Sequence, residues 1–177
     1  MVSRRSLLGT GAVVGVTSVA GATASHAATA PKHHLKRTEA NKQLVRDYTT
    51  QVFNGHQPEL VLKFMTPDFV WHGGFLGTVS GAENHVGVIS SFVASMPDLN
   101  AEELDILAEG DLVTVRYLVT ATVKGSLLGV PADGKKLSWE SGTIWRITEG
   151  KISEEWAFDD TASALVQLGV LTSPSAG

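Results

Sequence analysis

The segment Lys151 to Asp160 concentrates four carboxylates, Glu154, Glu155, Asp159 and Asp160, around Trp156 and Phe158. In an extended chain successive side chains point to opposite faces. Ile152, Glu154, Trp156, Phe158 and Asp160 then share one face, and Lys151, Ser153, Glu155, Ala157 and Asp159 the other. The first set holds both aromatics and is expected to face the core, which puts Trp156 in a pocket wall and Asp160 at the strand end beside Phe158. An apolar surround raises a carboxyl pKa and suits the group to general acid and base work. Asp159 is expected to point away. Asp160 also stands immediately before a helical segment, where aspartate serves as an N-cap. Alternation alone leaves both roles open.

Arg146 joins the Asp160 face if Thr148-Glu149-Gly150 forms a three-residue loop with glycine in the left-handed conformation. That register brings Ser138, Glu140, Ile144 and Arg146 to the carboxylate. A two-residue turn brings Trp139, Thr143 and Trp145 there instead. Arg116, among apolar residues on its own strand, either orients an anion in the pocket or forms a salt bridge at its rim. His72 ends a short extended segment before Gly73-Gly74, where imidazole can shuttle protons, bind a substrate oxygen or satisfy loop carbonyls. His56 follows a helix end, where the partial negative charge gives it a structural reading. His85 lies on a helix without a second ligand at suitable spacing.

No metal set is legible: there is no His-x-His, no His-Glu-x-x-His and no cysteine anywhere in the chain. A Gly-x-Ser-x-Gly elbow, a phosphate loop and a dinucleotide glycine fingerprint are equally absent from the sequence. The chemistry on offer is that of carboxylate, imidazole and guanidinium, without a metal or an organic cofactor.

These side chains need elements to hold them. Leu44, Val45, Tyr48, Val52 and Phe53 recur at helical spacing after Thr38, a potential N-cap, and Asn54-Gly55 stops that helix. A short helix fits Pro58 to Met65, and Phe69 to His72 is extended. A third helix, about Ala82 to Met96, carries Val86, Ile89, Phe92, Val93 and Met96 on one stripe and stops at Pro97. The period then changes to two. Leu104 to Leu107 and Leu112 to Val123 flank Glu109-Gly110. Leu137 to Ile147 and Lys151 to Asp159 flank Glu149-Gly150, and a last helix runs from about Thr161 to Leu168. Helices followed by long antiparallel strands make an α+β domain. The expected form is a cone-shaped, curved antiparallel sheet with helices packed on its concave face and a ligand pocket at the open end. Both faces of Leu112 to Val123 are partly apolar, so a second copy of the chain is expected against the outer face.

The chain has 177 residues, 14 basic and 18 acidic, with 43% hydrophobic residues and a mean hydropathy of +0.09. That is one domain's length. Arg4-Arg5 precedes an uncharged run that extends to about Ala24, and Ser25-His26-Ala27 offers small residues for cleavage after Ala27. This pattern reads as a twin-arginine export signal over residues 1–27. The run just reaches the roughly 17–25 residues of a spanning helix, but Gly9, Gly11, Gly15 and Gly21 make it a poor anchor, so no stable membrane anchor is expected after cleavage. The expected destination is periplasmic or secreted. Only two basic residues precede position 28, so the remainder carries a net charge of −6, which argues against nucleic acid as a partner. Residues 28–37 read as a flexible leader, 38–171 as the folded domain and 172–177 as a tail.

An ordered series of short motifs spans Asn41 to Leu171. It runs through Phe69-Val70-Trp71-His72, Gly81, Met96-Pro97-Asp98-Leu99 and Ala108-Glu109-Gly110-Asp111-Leu112-Val113-Thr114-Val115-Arg116. Gly125, Gly129-Val130-Pro131, Gly134-Lys135, Gly150-Lys151-Ile152-Ser153-Glu154-Glu155-Trp156, Asp160 and Gln167-Leu168-Gly169 follow. In this series the chain resembles the SnoaL-like polyketide cyclases, or ester cyclases, of the nuclear transport factor 2-like superfamily. The resemblance implies a cone-shaped α+β barrel, dimeric, working without metal or cofactor. It further implies that Asp160 matches the aspartate that serves those cyclases as acid and base in an intramolecular aldol closure, with His72 and Arg116 as pocket residues. The reading is a cyclase, isomerase or lyase acting on a small apolar carbonyl compound. Two alternatives stand beside it. One is a dimeric, non-catalytic module that binds a small hydrophobic molecule. The other resembles the limonene-epoxide hydrolases, although Leu118 stands where their Asp-Arg-Asp arrangement would place its second aspartate.

Overall fold

The computed structural model describes residues 30–173, with side chains from His34 onward. The expected export signal and the end of the expected tail lie outside the described residues. The first helix, α1 (Ala30–Tyr48), begins eight residues before Thr38, inside the stretch read as a flexible leader. Thr38 therefore does not cap it. Its hydroxyl donates back to the Leu35 carbonyl at 2.9 Å, the bond a threonine makes within a helix.

Val45 and Tyr48 of α1 are fully buried, and the helix continues through a π-helical turn, Thr49–Phe53. Asn54 ends it. The Asn54 side-chain amide donates to the Ala101 carbonyl at 3.0 Å and accepts from the Ala101 N–H at 2.8 Å, which ties the helix end to the sheet. A 3₁₀ turn at Pro58–Leu60 leads into α2 (Val61–Phe64) and then β1 (Met65–His72). A 3₁₀ turn at Gly74–Leu76, β2 (Thr78–Ser80) and α3 (Ala82–Ser95) follow. The rest is mostly sheet: β3 (Asn100–Glu109), β4 (Leu112–Thr122), the two-residue strands β5 (Ser126–Leu127) and β6 (Val130–Pro131), β7 (Lys136–Thr148) and β8 (Lys151–Asp159). A closing helix, α4, spans Thr161–Gln167.

Six strands form one sheet in the order β2-β1-β8-β7-β4-β3, open at both edges. Only β1 against β8 is parallel. The odd-numbered residues of β4, Val113 to Ala121, are buried in one core with residues of α1 and α3 and with Trp145 and Ile147 of β7. The even-numbered residues face outward. This alternation is the α+β arrangement expected from the period change, with the helices filling the inner side of the sheet.

The β7–β8 hairpin decides where the carboxylates go. Thr148 pairs with Lys151, so Glu149-Gly150 is a two-residue turn. Both turn residues have positive φ, 51° and 76°, as a type I′ turn demands. Ile147 then pairs with Ile152, but Arg146 pairs with Glu154. Ser153 is the extra residue of a β-bulge, and from there the alternation of β8 is rephased. Ile152 points inward, and so do Glu155, Ala157 and Asp159, while Glu154, Trp156 and Phe158 point outward.

Candidate active site

Between the inner sheet face and the helices lies a cavity of about 150 Å³. Its wall is aromatic and aliphatic, from Trp71, Phe92, Ile89, Leu99, Val119 and Trp139 among others, and Phe75, Leu76, Leu127 and Leu128 frame it. Into this surround project Tyr48, Thr49, His85, Tyr117, Ser141, Thr143 and Glu155, with Asp159 on the same strand face.

Glu155 is the buried carboxyl of the site, 6% exposed. The register explains its setting: its strand neighbours on either side are Trp71 of β1 and Trp145 of β7. No side chain hydrogen-bonds it among the described residues. Burial, and after it the charge of Asp159, pushes its pKa well above the ordinary carboxylate value. Asp159 lies one strand repeat on and is more open, with its Oδ1 accepting from the Trp139 indole N–H at 3.0 Å. Two carboxylates thus share one strand face, one held in an apolar floor and one more open near its rim.

The other polar groups are arranged around that floor. Thr49 Oγ1 and the Tyr117 hydroxyl are 2.9 Å apart. Burial raises the pKa of Tyr117 and of Tyr48, so both hydroxyls keep their protons. His85 is fully buried between Phe69 and Trp71, with ring centroids at 4.9 and 5.7 Å. Desolvation lowers its pKa to about 4, which leaves a neutral imidazole. Among the described residues no group of three or more His, Cys, Asp or Glu could hold a metal ion, and no helix is long and apolar enough to cross a membrane.

All five residues singled out from the sequence lie elsewhere. Asp160 is exposed and caps α4, its carboxylate accepting from the Ser163 N–H at 3.0 Å and from the Ser163 hydroxyl at 2.5 Å. Those bonds lower its pKa, the opposite of what an apolar setting would do. The bulge at Ser153 is the cause, because it turns the whole Glu154–Trp156–Phe158 series outward. It also reverses the expectation for Asp159, which faces in.

Trp156 lies on the outer face, stacked on His72 at 5.4 Å and covered by the Arg146 guanidinium at 5.5 Å. His72, Arg146 and Trp156 do meet, as a surface cluster around Glu154. The His72 Nε2 is 3.0 Å from Glu154 Oε1, and the Arg146 Nε donates to Glu154 Oε2 at 3.2 Å. Arg146 also donates to Asp111. Arg116, an even-numbered residue of β4, is held on the outer face by Asp105 at 2.6 Å and Glu140 at 3.2 Å. The salt-bridge reading of Arg116 is the one realised. His56 is structural as expected, its Nε2 lying 2.8 Å from the Leu99 carbonyl oxygen.

An open six-stranded α+β sheet with helices over one face and an apolar pocket between them is the nuclear transport factor 2-like fold. A family model for SnoaL-like polyketide cyclase matches residues 43–168, and the chain belongs to that family. Among solved structures it is similar to AclR of Streptomyces galilaeus, a candidate hydroxylase, at 29% identity and a TM-score of 0.68, over 78% of this chain and 87% of that one. It is similar to IdmH of Streptomyces antibioticus, a candidate polyketide cyclase, at 28% identity and a TM-score of 0.64, over 73% and 99%. A SnoaL-like candidate cyclase from Jannaschia sp. CCS1 shares the fold, with 21% identity and a TM-score of 0.69 over 77% and 95%. No curated protein matches the chain.

Proposed function

We propose that the chain is an exported, cofactor-free acid/base enzyme of cyclase, isomerase or lyase type, acting on a small apolar carbonyl compound. The observation that carries this reading is Glu155, a carboxyl between two tryptophans on the floor of an apolar cavity. A carboxyl with a raised pKa holds its proton longer than an ordinary one and, once ionised, is the stronger base. As carboxylate it takes a proton from the carbon α to the carbonyl. The C–H electrons move into the carbon–carbon double bond of an enolate, and the negative charge settles on oxygen. Returning the proton elsewhere isomerises the compound, attack of the enolate carbon on a second carbonyl closes a ring, and loss of a β-substituent eliminates it. The apolar walls keep water away from the intermediate. Asp159, held by the Trp139 indole N–H, adds a second carboxylate on the same face near the rim. Export by the twin-arginine route rests on Arg4-Arg5 and the run that follows.

Deuterium uptake tests the assignment. One-ring ketones such as acetophenone, incubated with the protein in D₂O, should gain deuterium at the α carbon. Glu155→Gln should reduce the rate by a factor of about 100 or more, and Asp160→Asn, which retains a capping side chain, should leave it unchanged. Undiminished exchange in Glu155→Gln removes the acid/base role. Tight binding of ketones without exchange by the wild type favours the non-catalytic binding module instead.

We further propose a homodimer through the outer sheet face. Leu107, Leu118 and Phe158 line one shallow groove there with Arg116 and Glu140 at its side, and Leu107 and Phe158 are 67% and 59% exposed. Large apolar groups in that number on one face call for a partner. Light scattering should give twice the chain mass for the wild type and a monomer for Leu107→Lys. A monomeric wild type at micromolar concentration rules the dimer out.

A further inference from the structure

Tyr48 and His85 form a second polar point on the cavity wall. Each is 1% exposed, and both line the cavity. The Tyr48 hydroxyl lies 3.5 Å from His85 Nε2, and no other group hydrogen-bonds that hydroxyl among the described residues. His85 Nδ1 is sealed from solvent without a partner.

A count of hydrogens follows from these contacts. Neutral His85 has one N–H and Tyr48 has one O–H, yet only one hydrogen bond joins the two side chains. One donor is therefore left over in either tautomer. A proton on Nδ1 would be a buried N–H with no acceptor, which costs more than an unpaired lone pair. The proton then belongs on Nε2, donating to the Tyr48 oxygen, and the Tyr48 O–H is free to donate. Phe69 and Trp71 pack the imidazole in that orientation. The aromatic edge contacts of Tyr48 with Phe64 and Trp145, at 5.8 and 5.2 Å, hold its ring.

The size of the cavity limits what can accept that hydrogen. About 150 Å³ matches an engineered apolar cavity that holds one benzene ring. We propose that the Tyr48–His85 pair receives the carbonyl oxygen of a one-ring ligand, with Tyr48 donating and His85 positioning it. This rests on the reading of the cavity as a site for carbonyl compounds. It narrows that class to a single ring bearing an oxygen acceptor, and it gives the developing enolate oxygen a donor separate from Glu155.

Paired ligands test it. Acetophenone and ethylbenzene differ in the carbonyl oxygen and little in shape, and calorimetric titration gives the affinity of each. Tyr48→Phe should weaken acetophenone roughly five- to tenfold and leave ethylbenzene within about twofold. Nitrogen NMR of ¹⁵N-histidine-labelled wild type should show His85 protonated at Nε2. Equal weakening of both ligands, no weakening of either, a wild type that does not prefer the ketone, or a proton on Nδ1 each overturns the proposal. Glu155→Gln separates the two readings: it should slow deuterium uptake by a factor of about 100 or more while preserving the preference for acetophenone. Loss of that preference in Tyr48→Phe with undiminished exchange in Glu155→Gln would sink the acid/base role and leave the binding point standing.

Discussion

Glu155→Gln should raise the unfolding midpoint at pH 8 and change it little at pH 4.5. The folded protein holds this carboxyl's pKa well above its ordinary 4.5. Below that value both folded and unfolded chains carry the proton, and the contribution to stability is complete. As pH rises the unfolded chain ionises while the folded one does not. Each pH unit then removes about 1.4 kcal/mol until the folded pKa is passed. Glutamine keeps the shape and cannot ionise, so the loss disappears. At about 2–4 °C per kcal/mol for a domain of this size, the gap in midpoint between variant and wild type should widen by several degrees from pH 4.5 to pH 8. His85 acts in the opposite direction. Its pKa falls from 6.5 to about 4, so its contribution is present above pH 6.5 and is lost as pH drops toward 4, about 3 kcal/mol in all. In the wild type the two slopes oppose each other between about pH 4.5 and 6.5, which should give a plateau there and a decline on either side. Scanning calorimetry across that range reads both limbs. A constant offset between variant and wild type at every pH would mean that the Glu155 carboxyl reaches water.

Gly73→Ala should cost about 1–3 kcal/mol, the usual price of forcing an extra methyl into a packed interior, and should distort the cavity. Gly73 has a φ of −88°, so its backbone admits alanine without strain. The obstacle is a side chain: a Cβ there would fall within the six-membered ring of Trp71. The indole must swing away, and it is the indole that packs on His85 and Phe92 and flanks Glu155. Stability and acetophenone binding should therefore fall together. Gly87 provides the contrast. It lies exposed in the middle of α3 with nothing near its missing Cβ, so Gly87→Ala should stabilise by up to about 1 kcal/mol. A Gly73→Ala protein as stable as the wild type would mean that Trp71 has free space to move into.

The architecture was largely legible because its signals are redundant. The stripe from Val86 to Met96 and the stop at Pro97 predict a helix to Met96, and α3 ends at Ser95. Glu149-Gly150 and Glu109-Gly110 mark hairpins that occur where expected. The start of α1 was missed because Thr38 satisfies the pattern of a cap and of a helical back-bond equally well. The inward face of β8 is misassigned for a different reason. Alternation assigns every residue of a strand from a single phase, and one extra residue reverses the assignment for all that follow. Glu154 and Glu155 are adjacent and chemically alike, so composition could not tell which was buried. The chain did hold a clue. A two-residue turn puts Ile147 opposite Ile152, whereas Arg146 finds an opposite charge only if Glu154 is its partner, and both hold only when Ser153 is left unpaired. His85 was unreadable for a simpler reason: a lone histidine on an amphipathic helix carries no sign of what packs around it.

The sheet is left open along β3, whose far side has no strand beside it among the described residues. Beyond Ala101, whose backbone groups Asn54 already holds, that edge invites another chain to add itself. Glu102, Glu103, Asp105 and Glu109 stand along it, Glu103 and Asp105 held by Arg46 and Arg116, and a second β3 laid alongside in parallel register would bring Glu102 and Glu109 against their own copies. That border is in this way fenced by charge against edge-to-edge growth.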